Sequence, residues 1–403
     1  MHATHVSDSN PYNHGSAELG GELAGVLRGP DAVIAAIPYL LGFHPQESIV
    51  IVWMRDRRIC LTQRMDLGAD GPGEGLASEA LSMIASHAQA TSAIAVVYAG
   101  DPNGHRGWRR DVFEALQTGL DTAQVALMDV LHVHQGRWWS YQCQQECCPA
   151  SGRVVDLVVQ QEVASILSEV GGEPARSRDE VVEMLAPDLQ AQACVGPIVE
   201  SLSATLRDLR VGAQQATGAL EELRERYLQG LLPGFLGQGI DPRSTDEESL
   251  AEVIVGLSDV RVRDTLLWHL ARERDVAGCL NWLEHAMRAA PVGYVAPVAT
   301  CTAIAAWLQG DGVRANAALE RALEDDREYA LGWLVAQSIM NGLPPQTWRG
   351  VMSTLSESDC RSGVSGANQA RSHNEGPEEQ IDGGRVTEYG GGAVGDPLAH
   401  GGG

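Results

Sequence analysis

A histidine and a serine flank a turn in the segment AAIPYLLGFHPQESIVIVWM, residues 35–54. In the catalytic interpretation, His44 is a general base and Ser48 a nucleophile. A nucleophilic serine also needs an orienting third group and oxyanion donors, and the segment lacks a Gly-x-Ser-x-Gly elbow. In the alternative interpretation the segment is a structural corner, in which Gly42 ends a helix and Pro45 lies in a turn. A role for His44 in lining a ligand pocket stays open.

Charged residues near two predicted strand ends define a candidate ligand pocket. Arg64 and Asp66 share one strand face because side chains alternate along a strand, and Asp101 follows the end of another strand. Ligands of open α/β sheets bind at strand ends. We therefore predict a pocket formed by His44, Ser48, Arg64, Asp66 and Asp101, although surface ion pairs explain the charged members equally well.

A group of histidines and cysteines raises the question of metal. The segment contains His132-x-His134 and then Cys143, Cys147 and Cys148, which are ligand types that zinc prefers. A hairpin turning at Gln-Gly places His132 and Cys143 on one face but roughly 13 Å apart at the usual strand rise. Those two cannot share an ion, because zinc–ligand bonds are about 2.0–2.3 Å long. A three-cysteine metal site, a transient disulfide and buried thiols stay open for the cysteines.

A glycine-rich loop, LGADGPGEGLASEA, lies between a predicted strand and a helix. Such loops can hold phosphate, but this one is flanked by Asp70, Glu74 and Glu79. The chain contains no lysine at all, which excludes a Walker lysine and a Schiff-base lysine. We interpret the loop as a solvated turn, with nucleotide binding as the alternative. The sequence does not allow a cofactor to be predicted.

Composition restricts the partners and the compartment. The 403 residues carry a net charge of −24, which repels phosphate backbones and anionic lipids, so we predict neither a nucleic acid nor a membrane partner. Eight cysteines are too few for a disulfide scaffold. The apolar stretch from Ala32 to Phe43 is too short to span a bilayer, and the N-terminal residues lack the apolar core of a signal peptide. The sequence predicts a soluble, cytoplasmic protein.

Strand and helix patterns alternate from about residue 29 to 150, which predicts a mixed sheet with packed helices. Asp31 is predicted to cap a helix that ends at Leu41 and is closed by Gly42. The elements after it are the hairpin SIVIVWM–RDRR–ICLTQRMDL, the helix GEGLASEALSMIASHAQA, the strand SAIAVVYAG, the helix WRRDVFEALQTGLDTA, and the hairpin VALMDVLHVH–QG–RWWSYQC.

Only helical patterns follow, from about 155 to 355. Ser177 with Glu180 predicts a capping box, and Ser244 or Thr245 is predicted to cap a later helix.

The stretch AIAAWLQGDGVRANAALERALEDD predicts two helices that meet at Gly310. The apolar stripe of Ala315, Leu319 and Ala322 on the second helix is typical of a tetratricopeptide repeat unit. A following helix is predicted to stop at Gly342.

These patterns predict four regions: a disordered tail over 1–17, an α/β domain over 18–155, an all-α domain over 156–355, and a disordered glycine-rich tail over 356–403. Cys360 falls in the second tail, where we expect a thiol without a role.

Three segments together resemble the actinobacterial family called domain of unknown function 4192. They are AAIPYLLGFHPQESIVIV, WWSYQCQQECCP and AAWLQGDGVRANAALERAL. The resemblance runs from about Asp31 to Trp348 and implies an actinobacterial or actinophage source. The family has no established activity, so the resemblance supplies no catalytic residues.

The sequence therefore favours a binding module, either for a protein partner through the helical domain or for a small ligand at the sheet. The alternative is an enzyme, or a metal or thiol site, in the α/β domain.

Overall fold

Residues 48–154 contain the strands of a six-stranded sheet. The computed structural model describes residues 29–67, 74–100, 109–143, 148–235, 245–273 and 276–362. The strands are β1 (Ser48–Arg55), β2 (Arg58–Asp66), β3 (Ser92–Tyr98), β4 (Ala126–His134), β5 (Arg137–Ser140) and β6 (Arg153–Val154). The helices that accompany them are α1 (Pro30–Leu41), α2 (Ser78–Ala88) and α3 (Arg110–Thr122).

The sheet is mixed, as predicted, with the strand order β2-β1-β3-β4-β5-β6. Only β3 and β4 are parallel among these neighbours, and α3 lies between them in the chain. Every other neighbouring pair is antiparallel. The carboxyl ends of β3 and β4 therefore meet at the edge of the sheet where β1 begins and β2 ends.

Both predicted hairpins are confirmed, and their two-residue turns set the register. Asp56 and Arg57 have φ of 51° and 66°, and Gln135 and Gly136 have φ of 47° and 71°. Two successive positive φ values are typical of the turns that match strand twist. In the second hairpin His132 opposes Trp139, as predicted, but the pairing of β4 with β5 stops at Ser140.

Helices cover both faces of the sheet, because β1 and β3 are apolar on both. Side chains of α2 and α3, such as Leu81 and Leu116, pack on the face that carries Ile49 and Ile51. Ile37 of α1 packs on the opposite face with other apolar side chains. A strand that is buried on both faces does not alternate polar and apolar residues. This explains the uninterrupted run of apolar residues in SIVIVWM.

Helix α1 ends as predicted at Gly42, which has φ of 78°. The prediction that Asp31 caps it was wrong. Gly29 is the N-cap residue and Pro30 occupies the first turn, where a missing N–H is harmless. The Asp31 carboxylate instead accepts hydrogen bonds from Trp138 Nε1 at 2.9 Å and from the Asp156 backbone N–H at 3.0 Å.

The rest of the described chain is helical. Its elements are α4 (Leu157–Gly171), α5 (Arg178–Met184), α6 (Leu189–Val211), α7 (Ala213–Phe235), α8 (Glu247–Leu257), α9 (Val260–Leu270), α10 (Ala277–Ala289), α11 (Val295–Leu308), α12 (Gly312–Asp325), α13 (Ala330–Met340), α14 (Pro345–Ser353) and α15 (Glu357–Ser362).

One predicted cap of these helices is confirmed and one is wrong. Ser177 accepts a hydrogen bond from the Glu180 N–H, but the Glu180 carboxylate bonds to the N–H of Arg176. For α8 the cap is Asp246, whose carboxylate accepts from the Ser249 N–H at 2.8 Å. Aspartate caps as well as serine does, so the helix begins after Asp246 rather than after Thr245, and Ser244 lies outside the described residues.

The antiparallel pair α11 and α12 follows the predicted pattern. Gly310 ends the first helix with φ of 83°, and Ala315, Leu319 and Ala322 are buried in the helical core. The two alanines among them are small enough to let the two helices approach closely.

The predicted start of the second tail at residue 356 was wrong. Glu357–Ser362 form α15, which packs on α9, and Cys360 is buried there. Arg361 pairs with Glu357 one turn earlier and with Glu225 of α7, so charged side chains hold a segment that has few apolar residues. Residues 1–28 and 363–403, which contain the rest of both predicted tails, lie outside the described residues.

The helical part has a large core of its own, but it also contributes to the apolar clusters of the sheet part: Val181 of α5 belongs to the cluster on the α1 face, and α4 packs on α1. One apolar cluster lies wholly within helices α5 to α13 and their connections. Helix α2 contacts the turn after α13: the His87 Nδ1–H donates to the Asn341 carbonyl at 2.7 Å, and Gly342 lies against Ile84. The described residues belong to one compact unit, so the predicted division into two domains near 155 stays a prediction. No described helix is long and apolar enough to cross a membrane.

Candidate functional site

Three strand ends bring polar side chains together on one face of the sheet. Ser48, the first residue of β1, opposes Asp66 on β2 and Tyr98 on β3. Arg64 opposes Val50, two residues further along β1. Directly opposed residues share a face, so all four polar side chains emerge on the face that carries Val50. We call Ser48, Arg64 and Tyr98 the strand-end cluster.

The strand-end cluster contains buried polar atoms that lack partners. Ser48 is 0% exposed. Its Oγ, the Arg64 Nε and the Tyr98 hydroxyl are all covered from solvent, and none of them has a hydrogen-bond partner within the described part of the chain. A buried polar group without a partner destabilises a fold by about 1–3 kcal/mol. Native proteins leave few such groups, so three on adjacent strands require an explanation.

Arg64 lies between an apolar ring and a carboxylate. Its guanidinium carbon is 5.7 Å from the centroid of the Phe43 ring, and its Nη2 donates to Asp66 Oδ1 at 2.5 Å. The Arg64 side chain is only 16% exposed, whereas that of Asp66 is 81% exposed. The ion pair therefore lies at the rim, and the Nε–H is the buried end of the guanidinium.

Burial keeps Tyr98 neutral. Desolvation raises the pKa of its hydroxyl well above the ordinary value for tyrosine. Like the Ser48 hydroxyl, it can therefore donate one hydrogen bond and also accept. The cluster presents three donors, two of which can act as acceptors as well.

Glu47, which directly precedes β1, connects the three strand ends around the cluster through hydrogen bonds. Its carboxylate accepts from the Gly100 N–H at 2.9 Å, just beyond β3, and its carbonyl accepts from the Leu67 N–H at 3.1 Å, just beyond β2. Glu47 has φ of 40°, a conformation that is uncommon for a residue with a side chain. Strained backbone often lies beside functional sites.

The segment from Gly42 to His44 forms a well-anchored corner. The His44 N–H donates to the Ala175 carbonyl at 3.0 Å, and the Ala175 N–H donates to the Gly42 carbonyl at 2.8 Å. Phe43 is buried and the His44 side chain is exposed. The Ser48 Oγ has no hydrogen bond to His44, so this arrangement lacks the serine–base contact that nucleophilic catalysis needs.

Of the five predicted pocket residues, Ser48, Arg64 and Asp66 thus occupy neighbouring positions on one face. Asp101 lies outside the described residues. Tyr98 was missed by the sequence reasoning, since its position beside Ser48 depends on the pairing of β1 with β3. The available signal was that Tyr98 is the polar aromatic residue near the end of the strand SAIAVVYAG.

The predicted thiol and metal candidates divide between described and undescribed residues. Cys143 and Cys148 belong to the apolar cluster on the α1 face, and the Cys143 N–H donates to Ser140 Oγ at 3.0 Å. His132 pairs with Val97, which lies on the opposite face, so the prediction that Cys143 shares the face of His132 was wrong, because the ladder ends at Ser140. Cys147 lies outside the described residues.

No cluster of three or more potential metal ligands occurs in the part of the chain that the structure describes. His132 is buried; its Nε2–H donates to the Ala99 carbonyl at 3.2 Å, and its ring stacks on Trp139 with centroids 5.4 Å apart. The glycine-rich stretch over 68–73 lies outside the described residues, as does Asp70, so phosphate binding there stays a hypothesis.

The described residues thus form a protein of mixed-sheet α/β architecture followed by a helical part, with polar atoms at one end of the sheet that have no partner among those residues. Residues 30–346 match the family model described as Domain of unknown function (DUF4192), and the chain belongs to that family. No curated protein and no solved structure matches the chain.

Proposed function

We propose that the protein is a binding module that takes a small ligand at the strand-end cluster. The observation that supports this proposal is the absence of partners for the Ser48 Oγ, the Arg64 Nε and the Tyr98 hydroxyl within the described residues. A ligand that supplies hydrogen-bond partners to these atoms would remove the desolvation penalty. The position at the carboxyl end of β3 agrees with the usual place of ligands in sheets that contain parallel strands.

The cluster differs from three other covered hydroxyls in the described part of the chain. Ser203 on α6, Tyr227 on α7 and Thr300 on α11 also have covered hydroxyls without a partner in the described chain. These residues lie on separate helices, and no strand ladder aligns them. Ser48 and Tyr98 are directly opposed, with Arg64 one pair further along.

Thermal unfolding of the full chain in the presence of a panel of small carbonyl, hydroxyl and carboxylate compounds tests this proposal. We expect at least one class of compound to raise the unfolding temperature of the wild type. The effect should be lost in the double variant Ser48→Ala/Tyr98→Phe and kept in the matched control Ser203→Ala/Tyr227→Phe. Stabilisation that is equal in both double variants would contradict the proposal.

A second proposed function is recognition of a protein partner through the helical part. The exposed side chains of α13 support it: Trp333, Leu334 and Met340 are 46%, 62% and 62% exposed. Trp333 and Met340 are seven residues apart and so share one face of the helix. Large exposed apolar residues grouped on one helix are typical of interaction surfaces, and tetratricopeptide-like hairpins commonly serve as scaffolds.

Capture experiments with the full chain test this second function. A partner that binds α13 should be captured by the wild type and lost with Leu334→Glu. Leu189→Glu on α6 is the matched control, since Leu189 is 74% exposed on another helix. A partner that is captured equally by both variants does not use α13.

We also propose a cytoplasmic location and an actinobacterial source, as the composition and the quoted motifs predict. Both proposals are tested by locating the protein in fractionated cells and by finding the gene in actinobacterial genomes.

A further inference from the structure

We infer that the ligand of the strand-end cluster presents an oxyanion, a carboxylate or a phosphate, to Ser48, Arg64 and Tyr98. This inference rests on the proposed ligand-binding function and adds the chemical class of the ligand. It follows from the number of donors and from the charge of Arg64, and the neighbouring Asp66 carboxylate provides a way to test it.

The donors require an acceptor-rich group. The Arg64 Nε–H can only donate, and the hydroxyls of Ser48 and Tyr98 can each donate one hydrogen bond. A neutral carbonyl oxygen has two lone pairs and satisfies two of the three donors. A carboxylate has about four acceptor positions on two oxygens, so it can take all three from donors that stand on three different strands.

The charge of Arg64 favours an anion over a neutral acceptor. A guanidinium is always protonated, and its hydrogen bonds to anions are about twice as strong as neutral ones. The surroundings of the Nε are apolar: Phe43 lies beneath the guanidinium, and Val50 opposes Arg64 across the strands. A low local dielectric strengthens such bonds further.

Two carboxylates near the cluster oppose the anion to different degrees. Glu47 is engaged, because its Oε1 accepts the Gly100 N–H. Asp66 binds the Nη2 of Arg64 from the solvent side. It therefore competes for the guanidinium and repels an incoming anion, while solvent screens both effects. Asp66 is for this reason the residue that distinguishes an anionic from a neutral ligand.

The experiment compares propionate, propionamide and inorganic phosphate as probes of the full chain by calorimetric titration at constant ionic strength. Propionate and propionamide have nearly the same shape, but only propionate carries a charge. We expect propionate or phosphate to bind at least about tenfold more tightly than propionamide. The anion that binds more tightly shows whether the site prefers a carboxylate or a phosphate.

The variant Asp66→Asn sharpens the test, and the exposure of this side chain makes a folding defect unexpected. Removing the competing charge should tighten the binding of the anion by about threefold and leave the affinity for propionamide unchanged. Ser48→Ala and Tyr98→Phe should each weaken the binding of the anion. The controls Ser203→Ala and Tyr227→Phe should leave that binding unchanged.

Three outcomes would overturn the inference: equal binding of propionate and propionamide, weaker anion binding by Asp66→Asn, or no binding of any of the three probes. The proposed function has a separate criterion. If a neutral compound of the wider panel stabilises the wild type but not Ser48→Ala/Tyr98→Phe, the ligand site stands and only its anionic character is wrong.

Discussion

Two buried polar groups, Asp259 in the helical part and Ser48 in the sheet part, have opposite surroundings. Asp259 is 1% exposed and caps α9 through the N–H groups of Arg261 and Val262. Its carboxylate also accepts from Arg210 at 2.9 Å and twice from Arg224, at 3.0 and 3.1 Å. Ser48 is equally buried, yet its Oγ has no partner among the described residues.

The contrast indicates different roles for the two regions. In the helical part a charge is buried because its partners belong to the fold, so the group joins α6, α7 and α9. At the strand ends the described residues cover the Ser48 hydroxyl but give it no hydrogen-bond partner, which is why we propose that a ligand supplies the missing contact. The following predictions test this contrast, from the largest expected effect to the smallest.

Asp259→Ala should lower the free energy of unfolding by about 3–5 kcal/mol, since it leaves two arginines without their buried partner. Chemical denaturation of the full chain measures the change. The control Asp246→Ala removes an exposed cap of α8 and should lower stability by much less. A loss that is the same for both variants would mean that the Asp259 network contributes no more than an ordinary helix cap.

Ser48→Ala/Tyr98→Phe should leave the stability of the ligand-free protein unchanged or raise it by up to about 2 kcal/mol, since it removes polar groups that have no partner among the described residues. The control is Ser140→Ala, because the Ser140 Oγ is buried but donates to Asp129 and accepts from the Cys143 N–H. Denaturation should show a loss of about 1–3 kcal/mol for that control. A similar loss in the double variant would mean that Ser48 and Tyr98 make structural hydrogen bonds.

Gly342→Ala should destabilise the contact between the sheet part and the helical part. An added Cβ would lie 3.1 Å from Ile84, and φ at Gly342 is 68°. Gly293→Ala has the same backbone penalty, with φ of 87°, but meets no atom within 4 Å. We expect the first variant to lose about 1 kcal/mol more than the second. Calorimetry also shows whether the two parts then unfold in separate steps, as the predicted domain division requires.

Two substitutions should change the pH dependence of stability with opposite signs. Hydrogen bonds from Arg224 and Arg210 hold the pKa of Asp259 below its ordinary value despite the desolvation caused by its burial. That stabilisation is present above the unfolded-state pKa and is lost as the pH falls through the folded-state pKa. Asp259→Asn should therefore be less stable than the wild type at neutral pH, and the two curves should converge in acid.

Glu284 is the opposite case, because burial raises its pKa while Arg314 only partly offsets the shift. A raised carboxyl pKa means that the folded state disfavours the charged form, so Glu284→Gln should gain stability at neutral pH. The gain should disappear below about pH 4, where the wild-type carboxyl is protonated in both states. Denaturation curves at several pH values measure both variants, and parallel curves for the two would contradict the assignment.

Much of the fold could be predicted because its signals are local. The apolar run SIVIVWM indicates a buried strand, and the Gln-Gly turn sets the pairing of His132 with Trp139. Gly310 and the stripe around Leu319 likewise predict the pair α11 and α12. In each case the controlling residues lie within one turn or one hairpin of each other.

The remaining features depend on contacts between distant parts of the chain. Asp31 was expected to cap α1, but its partners are Trp138 and Asp156, which are more than 100 positions away. Tyr98 could not be assigned to the site without knowing that β3 pairs with β1. Cys360 was placed in a tail because its own segment has few apolar residues, whereas its burial comes from packing on α9.

A crystal structure of the full chain, grown with the anion that binds most tightly, tests the central claim most directly. We predict an oxygen of that anion within about 2.6–3.2 Å of both the Ser48 Oγ and the Tyr98 hydroxyl, with the Arg64 Nε–H donating to the same group. Protein carbonyls bonded to both hydroxyls, with the anion bound elsewhere or not at all, would contradict the claim that the fold leaves these atoms for a ligand.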